Sequence, residues 1–294
     1  MPARKTWLEV SLNGPWTRRV QPGIPIAVED IVAQAIACVH AGAAIVHVHA
    51  YDEATGRQND DPDLYAAIIA GVRAEVDAIV YPTIPLAASG DAPAKPAPRE
   101  RYAAIAALAE RGLLEWAVVD PGTVNLARFD AIAGDREGFV YLNPESDIRA
   151  GLALAARHRF HPAYACYEAG FVRLGAALAR RYPAAPKAIY RLMFSDAFAF
   201  GFPPEPFALD AYRKLLERDA PRAPWMIGGL GVDLLPLVPA AVEAGGHVRV
   251  GLEDAPFGSP LGNLDWVARA GDAIAAAGGA LASAAEVRAA LAAG

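Results

Sequence analysis

Cysteines, basic runs and long apolar stretches are all scarce in this sequence of 294 residues. Its two cysteines, Cys38 and Cys166, are too few for a disulfide framework or a CxxC metal knuckle, so we expect two reduced, buried thiols. No stretch reaches the ~18 consecutive apolar residues of a membrane span. The first residues, MPARKTWLEV, lack the apolar stretch of a signal peptide. These absences favour a cytoplasmic protein with no membrane partner.

The balance of charge also argues against a nucleic-acid partner. The formal net charge is −6, and no basic run or basic stripe interleaved with aromatic residues is present, so we expect no nucleic-acid partner. Hydrophobic residues make up 54% of the chain, which is enough to bury a large core. The expected partner is therefore a small molecule.

Short apolar runs alternate with helix-length segments along almost the whole chain, which predicts a parallel sheet covered by helices. There are nine such runs, one more than an eight-stranded barrel needs. Because the connection 121–138 is turn-rich, we interpret the fifth run, Phe139–Asn143, as an extra strand beside the fourth. The other eight predict a (β/α)₈ TIM barrel, with residues 1–294 as a single domain. An open doubly wound sheet is the alternative, but no GxGxxG follows the first strand. The predicted strands are Trp7–Leu12, Ala44–Ala50, Ala78–Ile84, Trp116–Asp120, Phe139–Asn143, Ala163–Glu168, Ala188–Phe194, Trp225–Gly229 and His247–Leu252.

The second predicted strand carries two of the six histidines, in the stretch IVHVHAYD. Residues i and i+2 of a strand face the same side, so His47 and His49 share one face while the valines share the other. In a barrel the valines suit the helix-facing side, which leaves both imidazoles pointing inward. They are then either core histidines satisfied by hydrogen bonds or ligands of a divalent metal, and their place near the carboxyl end of a strand favours the metal.

A third ligand is expected from the last predicted strand, in HVRVGLEDAPFG. There Arg249 and Glu253 share a face, and Asp254 begins the following loop. Closing a barrel puts the second and eighth strands on either side of the first, about 10 Å apart at ~4.8 Å per spacing, within reach of a shared metal. Two histidines and one carboxylate leave coordination positions open, as in catalytic sites. A surface ion-pair cluster is the alternative for the Arg, Glu and Asp.

Four segments of the chain resemble the β-keto acid cleavage enzymes, the family that includes 3-keto-5-aminohexanoate cleavage enzyme. They are AGAAIVHVHAYDEATGRQNDDP, CYEAG, GGLG and GGHVRVGLED, and the correspondence runs in order over nearly the whole chain. The resemblance implies a (β/α)₈ barrel and a homo-oligomer, with a tetramer as the expected form.

The resemblance also implies a chemistry, in which a β-keto acid and acetyl-CoA give acetoacetate and a new acyl-CoA by Claisen-type condensation and cleavage. It assigns zinc to His47, His49 and Glu253, and it places Arg249 and Asp254 in the catalytic machinery. Zinc would act as a Lewis acid on the keto-acid oxygens. Asp254 is the expected base, and Arg249 would hold that carboxylate or steady an anionic intermediate.

The expected substrate pocket departs from the family pattern. A family Glu two residues after the Gly that ends the first strand is Trp16 here, and Thr83 takes the Ser position of a Ser-Thr-Gly-Gly loop whose glycines are absent. At the end of the fourth strand, the family pattern has a polar Thr and Asn, and this sequence has Val118 and Asp120 at those positions. Losing the Glu argues against an amino-keto acid. Trp16 either contacts an apolar, aromatic or quaternary-ammonium substrate or packs the mouth of the barrel.

Other functions remain open on the residues alone. A metal-dependent hydrolase with His-x-His on its first strand would need histidines after later strands, and none occurs between residues 162 and 246. A metal-dependent aldolase or acyl-CoA lyase breaks the same kind of bond without the exchange. A non-enzymatic ligand-binding barrel is a third alternative. The loop 85–98 is either a lid or a plain surface loop, and no CoA-binding motif is evident.

Overall fold

Eight parallel strands form one sheet in a computed structural model that describes residues 4–86 and 97–293. Counted around the sheet, their order is β3-β2-β1-β8-β7-β6-β5-β4. Each strand thus lies beside the next one along the chain, and the last strand pairs with the first. The strands are β1 (Leu8–Ser11), β2 (Ile45–Val48), β3 (Ile79–Pro82), β4 (Trp116–Val118), β5 (His161–Cys166), β6 (Ile189–Phe194), β7 (Trp225–Gly229) and β8 (His247–Val250).

The sheet is a nearly closed barrel, as the sequence predicts. Val248 of β8 is in register with Leu8 of β1, and β1 is in turn paired with β2. The ladder is interrupted between β3 and β4, where the rings of Tyr81 and Trp116 pack with centroids 5.8 Å apart. The (β/α)₈ prediction is therefore confirmed, and β2 and β8 do flank β1.

Helices alternate with the strands and cover the outside of the barrel. The helix Val28–His40 buries Ile31, Ala35 and Cys38, which lie on one face at spacings of four and three residues. The helix Pro62–Glu75 is capped by Asp61, whose side chain accepts a hydrogen bond from the Asp63 amide at 2.8 Å. The helices are Val28–His40, Pro62–Glu75, Pro98–Arg101, Ala103–Glu110, Phe129–Ala133, Glu145–His158, Ala169–Arg181, Pro206–Asp219, Val238–Glu243, Asn263–Ala276 and Ala284–Ala293, with a 3₁₀ turn at Leu235–Leu237.

Three two-stranded sheets lie outside the barrel. Phe139–Tyr141 does form the extra strand that the sequence predicts, but it pairs antiparallel with Val124–Leu126 and not with the fourth barrel strand. The prediction of its partner was wrong because the turn-rich connection supplies a strand nearer in sequence, with which Phe139–Tyr141 forms a local hairpin. The other pairs are Arg4–Thr6 with Gly279–Leu281, and Tyr51–Asp52 with Arg57–Gln58.

Both cysteines are free and buried, as expected. Burial raises the pKa of the Cys38 thiol to about 12. Within the described ranges, no helix combines the length and the apolar character needed to cross a bilayer. Residues 87–96 of the loop predicted as a lid or surface loop lie outside the described residues, and the expectation of one domain stays a prediction.

Candidate active site

The carboxyl ends of β2 and β8 bring His47, His49 and Glu253 together. The two imidazole Nε2 atoms each lie 3.6 Å from one carboxylate oxygen of Glu253. One potential ligand atom from each residue lies within 4.8 Å of the others, and all three residues are buried. Period-two alternation therefore did place both histidines on the inner face of the barrel.

The turn after β8 carries Glu253 back over β1. Gly251 has a φ of 135°, and a Cβ at this position would collide with the Ser11 carbonyl oxygen. The Glu253 amide donates a hydrogen bond to that same oxygen at 3.2 Å. Only glycine adopts this conformation readily at so close an approach, so Gly251 sets the direction of the Glu253 side chain.

The donor set fits a divalent metal such as zinc. His49 Nε2 and Glu253 Oε2 are buried and have no hydrogen-bond partner among the described residues, and neither has His47 Nδ1 on the far side of its ring. Leaving buried polar atoms unpaired is unfavourable, so a cation between them would satisfy the ligand atoms. Ligands at ~2.0–2.1 Å in tetrahedral zinc coordination are about 3.4 Å apart, close to the observed 3.6 Å.

The protonation states suit a metal ligand set. Burial lowers the pKa of His47 well below its ordinary value, which keeps its imidazole neutral with a lone pair available. Burial alone would raise the pKa of Glu253, but Arg249, His47 and His49 together hold it well below the usual range. Glu253 is thus a carboxylate.

Gln58 orients His49 from the hairpin that follows β2. Its Oε1 lies 2.8 Å from His49 Nδ1, so the imidazole donates from Nδ1 and leaves the Nε2 lone pair facing Glu253. The Gln58 amide is itself held by Asp60, to which its Nε2 donates at 2.7 Å. Asn13 of the loop after β1 fixes the His49 backbone through two hydrogen bonds of 3.0 Å. The sequence alone did not identify Gln58 or Asn13.

Arg249 joins three buried carboxylates. Its guanidinium binds Asp254 through a fork, with Nε to Oδ2 at 2.9 Å and Nη2 to Oδ1 at 2.7 Å. Nη2 also lies 3.0 Å from Glu253, and Nη1 lies 3.1 Å from Glu9. These opposite charges raise the pKa of Arg249 well above its usual value despite its burial, so the guanidinium is cationic.

Asp254 is anchored by more than Arg249. Ser11 Oγ donates to Oδ1 at 3.1 Å, and the Gly229 amide donates to Oδ2 at 3.1 Å. Together with the fork from Arg249, these donors occupy about four lone-pair directions, which is the usual capacity of a carboxylate. Among the described residues that line the cavity beside the three ligands are Arg249 and Glu253 but not Asp254.

A second polar chain crosses the barrel interior, and sequence analysis missed most of it. Tyr81 donates to Glu9 at 2.7 Å, and Arg191 donates to the Tyr81 hydroxyl at 3.1 Å and lies 3.5 Å from Asp120. Tyr141 donates to the other Asp120 oxygen at 2.8 Å. Glu9 in LEVS and Arg191 in IYRLMF alternate with apolar residues. The period-two test that found the histidines would have placed both inside the barrel.

A cavity of about 230 Å³ opens beside the three candidate ligands. Trp16, Thr83, Val118 and Asp120, the positions that depart from the family pattern, all line it. Trp16 donates its indole N–H to the Glu253 carbonyl at 2.8 Å and packs edge-on against Phe257, with ring centroids 4.9 Å apart.

A larger groove of about 350 Å³ lies elsewhere, lined by Lys187 and Ala188 before β6 and by Ala223 before β7. It is therefore at the amino ends of the strands. Barrel enzymes carry their chemistry at the carboxyl ends, and the smaller cavity is the one that contains the ligand set.

A family model described as beta-keto acid cleavage enzyme matches residues 5–292. Curated relatives cover most of both chains. A 3,5-dioxohexanoate:acetyl-CoA acetone transferase of Paraburkholderia graminis is 26% identical over 263 residues, which are 83% of this chain and 80% of the relative. A 3-oxoadipate:acetyl-CoA acetyltransferase of Cupriavidus necator is 26% identical over 248 residues, covering 84% and 79%.

A 3-keto-5-aminohexanoate cleavage enzyme of Fusobacterium nucleatum subsp. nucleatum is 25% identical over 240 residues, covering 81% of this chain and 78% of the relative. Among solved structures, the apo form of ObcA superposes with a TM-score of 0.69 at 20% identity. The superposition covers 91% of this chain and 65% of ObcA, so this chain spans about two thirds of that protein. At this identity the structural likeness supports the barrel fold alone.

Proposed function

Because the chain belongs to the beta-keto acid cleavage enzyme family, we propose that it converts a β-keto acid and acetyl-CoA into acetoacetate and a new acyl-CoA. The observation that carries the proposal is the buried cluster of His47, His49 and Glu253, whose unpaired ligand atoms lie beside a cavity. The names of two curated relatives include acetyl-CoA, and all three name an acid with a 3-oxo or 3-keto group.

We propose that His47, His49 and Glu253 hold zinc. The bound ion would supply Lewis acidity to the oxygens of the keto acid, which makes the proton on the carbon between them easier to remove. Gln58 would keep His49 in the tautomer that a ligand needs, through its bond to Nδ1.

The overall exchange requires two carbon–carbon events. Loss of a proton from C2 of the keto acid leaves a carbanion, which attacks the acetyl carbonyl and expels the CoA thiolate. That thiolate then attacks the original keto carbon, and the bond from this carbon to C2 breaks. The products are acyl-CoA and the carbanion of acetoacetate, which recovers the proton.

Arg249 has the geometry to act beside the reacting atoms. It lines the cavity, and its Nη2 lies 3.0 Å from Glu253, so its positive charge sits next to the proposed metal site. A fixed, buried guanidinium can stabilise the negative charge that develops on a substrate oxygen without reorganising. We assign Arg249 this role, and Asp254 holds it in place through the two-point fork.

Asp254 remains our candidate for the base that takes the C2 proton, with two conditions from the geometry. It does not line the cavity, so its carboxylate must first come within reach of the substrate. Its lone pairs are occupied by Arg249, Ser11 and Gly229, so it can accept a proton only when one of these donors yields. We expect Asp254→Asn to lower kcat by 10²-fold or more. Full turnover by Asp254→Asn would remove the base assignment and leave Asp254 as the anchor of Arg249.

The experiment that tests the proposed function is a panel of β-keto acids incubated with acetyl-CoA and Zn²⁺, with acetoacetate and acyl-CoA measured together. We expect both products in equal amounts. A metal-dependent aldolase or acyl-CoA lyase would form products without consuming acetyl-CoA. Inactivity across cationic, anionic and apolar acids would contradict the proposal.

The zinc assignment is tested by two variants, one at a proposed ligand and one at a control position. His49→Asn should lose both bound zinc and turnover, whereas His40→Asn, at the exposed end of the helix Val28–His40, should keep both. Less than about half a zinc per chain, in protein purified without chelator, would count against the site. On the resemblance and the composition, we further propose a cytoplasmic homo-oligomer, expected to be a tetramer, with no membrane or nucleic-acid partner.

A further inference from the structure

We propose that the β-keto acid carries an uncharged, apolar group on the far side of its keto carbon. This inference rests on the proposed function and names the class of acyl group that the same site accepts. It is carried by the walls of the cavity and by the way in which the charged groups at its base are already paired.

The described walls around the cavity are largely apolar. Aliphatic side chains line it from several elements, and the aromatic rings of Trp16 and Tyr167 lie among them. The aliphatic residues are Ile84, Val118, Leu126, Met193 and Leu230. Apart from the groups beside the metal ligands, a substrate entering this space is surrounded mainly by hydrocarbon.

Asp120 and Arg191 are the charged residues on the cavity surface away from the ligand cluster, and they form an ion pair in which Arg191 Nη2 lies 3.5 Å from Asp120 Oδ1. Asp120 also accepts hydrogen bonds from the Ala165 amide and the Tyr141 hydroxyl, both at 2.8 Å. Arg191 donates further to Tyr81 and to the Ala163 carbonyl, at 3.1 and 3.2 Å. One Arg191 nitrogen, Nε, has no partner among the described residues, but it is buried, so binding a substrate charge at this surface would still require breaking bonds that already exist.

The guanidinium of Arg249 is also already paired. All three of its nitrogens bind carboxylates, so a second carboxylate on the substrate would compete with Asp254, Glu253 or Glu9 for it. A charged group on the acyl chain would therefore lie against hydrocarbon without a partner of opposite charge. Burying an unpaired charge is far less favourable than burying methylene groups, so discrimination against charged acyl chains should be strong.

The test compares acids that differ only at the far end of the chain. We would measure kcat/KM with saturating acetyl-CoA for 3-oxohexanoate, 3-oxoadipate and 3-oxo-6-aminohexanoate. We expect 3-oxohexanoate to be preferred at least tenfold over both charged acids, and 3-oxopentanoate to be worse than 3-oxohexanoate by about fourfold, the effect of one ~0.8 kcal/mol methylene. Equal or better turnover of either charged acid would overturn the inference while leaving the proposed function intact.

A binding measurement tests the apolar character of the cavity separately from the proposed function. Calorimetry with the unreactive acids hexanoate, adipate and 6-aminohexanoate reports the preference of the cavity without any turnover. Tighter binding of hexanoate alongside no activity on any β-keto acid would refute the proposed function and support an apolar site. Tighter binding of adipate or 6-aminohexanoate would refute the apolar site.

A specificity switch tests the wall itself. Leu126 is 7% exposed in the outer hairpin and faces the cavity. Leu126→Lys should raise kcat/KM for 3-oxoadipate relative to 3-oxohexanoate at least tenfold, because it supplies the missing partner charge. Leu126→Met keeps the wall apolar, and Leu264→Lys adds the same charge at a site 49% exposed, so both should retain the wild-type preference. An unchanged preference in a folded Leu126→Lys variant would contradict the assignment of this wall to the acyl chain.

Discussion

Replacing Glu9 tests the charge arrangement inside the barrel. The side chain is fully buried, and its Oε1 accepts hydrogen bonds from Tyr81 at 2.7 Å and from Arg249 at 3.1 Å. Oε2 has no partner among the described residues. Burial raises the pKa of Glu9, and the attraction of Arg249 and Arg191 offsets this only in part. The folded protein therefore binds the Glu9 proton more tightly than the unfolded chain does.

The sign of the pH effect follows from this raised pKa. Stability linked to Glu9 is fully present below the pKa of the unfolded chain and is lost as the pH rises through the folded pKa. Glu9→Gln is neutral at every pH and retains an acceptor oxygen, and Arg249 still has Asp254 and Glu253. We expect Glu9→Gln to lie within ~1 kcal/mol of wild type at about pH 5 and to equal or exceed its stability at about pH 8.

Glu9→Ala should behave differently, because it removes the acceptor as well as the charge. Two buried donors, on Tyr81 and Arg249, then lose their partner at ~1–3 kcal/mol each, so we expect a loss of about 2–6 kcal/mol. Urea unfolding of chelator-treated protein at both pH values measures these differences, with the exposed Glu29→Gln as a control. A loss in Glu9→Gln as large as that in Glu9→Ala at high pH would refute the reasoning, because the ionised carboxylate itself would then be stabilising.

Three further substitutions test single contacts, two of them in the candidate site and one outside it. Gln58→Leu removes the partner of His49 Nδ1, so zinc affinity measured by chelator competition should fall 10–100-fold, and an unchanged affinity would argue against this orienting role. Trp16→Phe keeps the packing on Phe257 but removes the N–H donated to the Glu253 carbonyl, so the free energy of unfolding should fall by about 0.5–1.5 kcal/mol. A tenfold or larger loss in kcat/KM with unchanged stability would instead mark Trp16 as a substrate contact. Arg101→Met breaks a buried pair with Asp147 and also removes the donors to the Pro85 and Leu142 carbonyls, so it should cost about 3–5 kcal/mol in urea unfolding. Adding Asp147→Leu should recover part of this loss, and no recovery would contradict pairing as a cause.

The ligand cluster was accessible to sequence reasoning because it depends on two robust regularities. Strand alternation placed His47 and His49 on one face, and barrel closure placed the strand before Glu253 two positions away. Both regularities hold even when strand bounds shift by a few residues. Thus β8 ends at Val250 and not Leu252, yet Glu253 still reaches the histidines because the turn at Gly251 returns it to β1.

The polar interior was less accessible, since each of its members is a single polar residue in an apolar strand. Glu9 and Arg191 can be assigned to the barrel interior by alternation, but their pairing through Tyr81 depends on side-chain reach across the barrel. Gln58 contacts His49 only because a short hairpin folds back after β2, and nothing in the periodicity of residues 51–58 predicts that hairpin.

The extra strand was also predicted only in part. Its position in the chain was predicted from its apolar run, but its partner Val124–Leu126 has only three residues and no clear strand pattern in a turn-rich segment. The first two residues of β5 were also missed. His161 precedes the apolar run in the sequence but belongs to the strand, where its Nδ1 lies 2.9 Å from the Lys187 carbonyl.

The fate of the acetyl group is the most direct test of the proposed exchange. Zinc-loaded protein would be incubated with an unlabelled β-keto acid and acetyl-CoA carrying ¹³C in both acetyl carbons, and the products would be analysed by NMR. The proposed function predicts that both labelled carbons appear in acetoacetate, at its keto carbon and its methyl group, and that the new acyl-CoA is unlabelled. Label in the new acyl group, or products formed with the labelled acetyl-CoA left unconsumed, would contradict it.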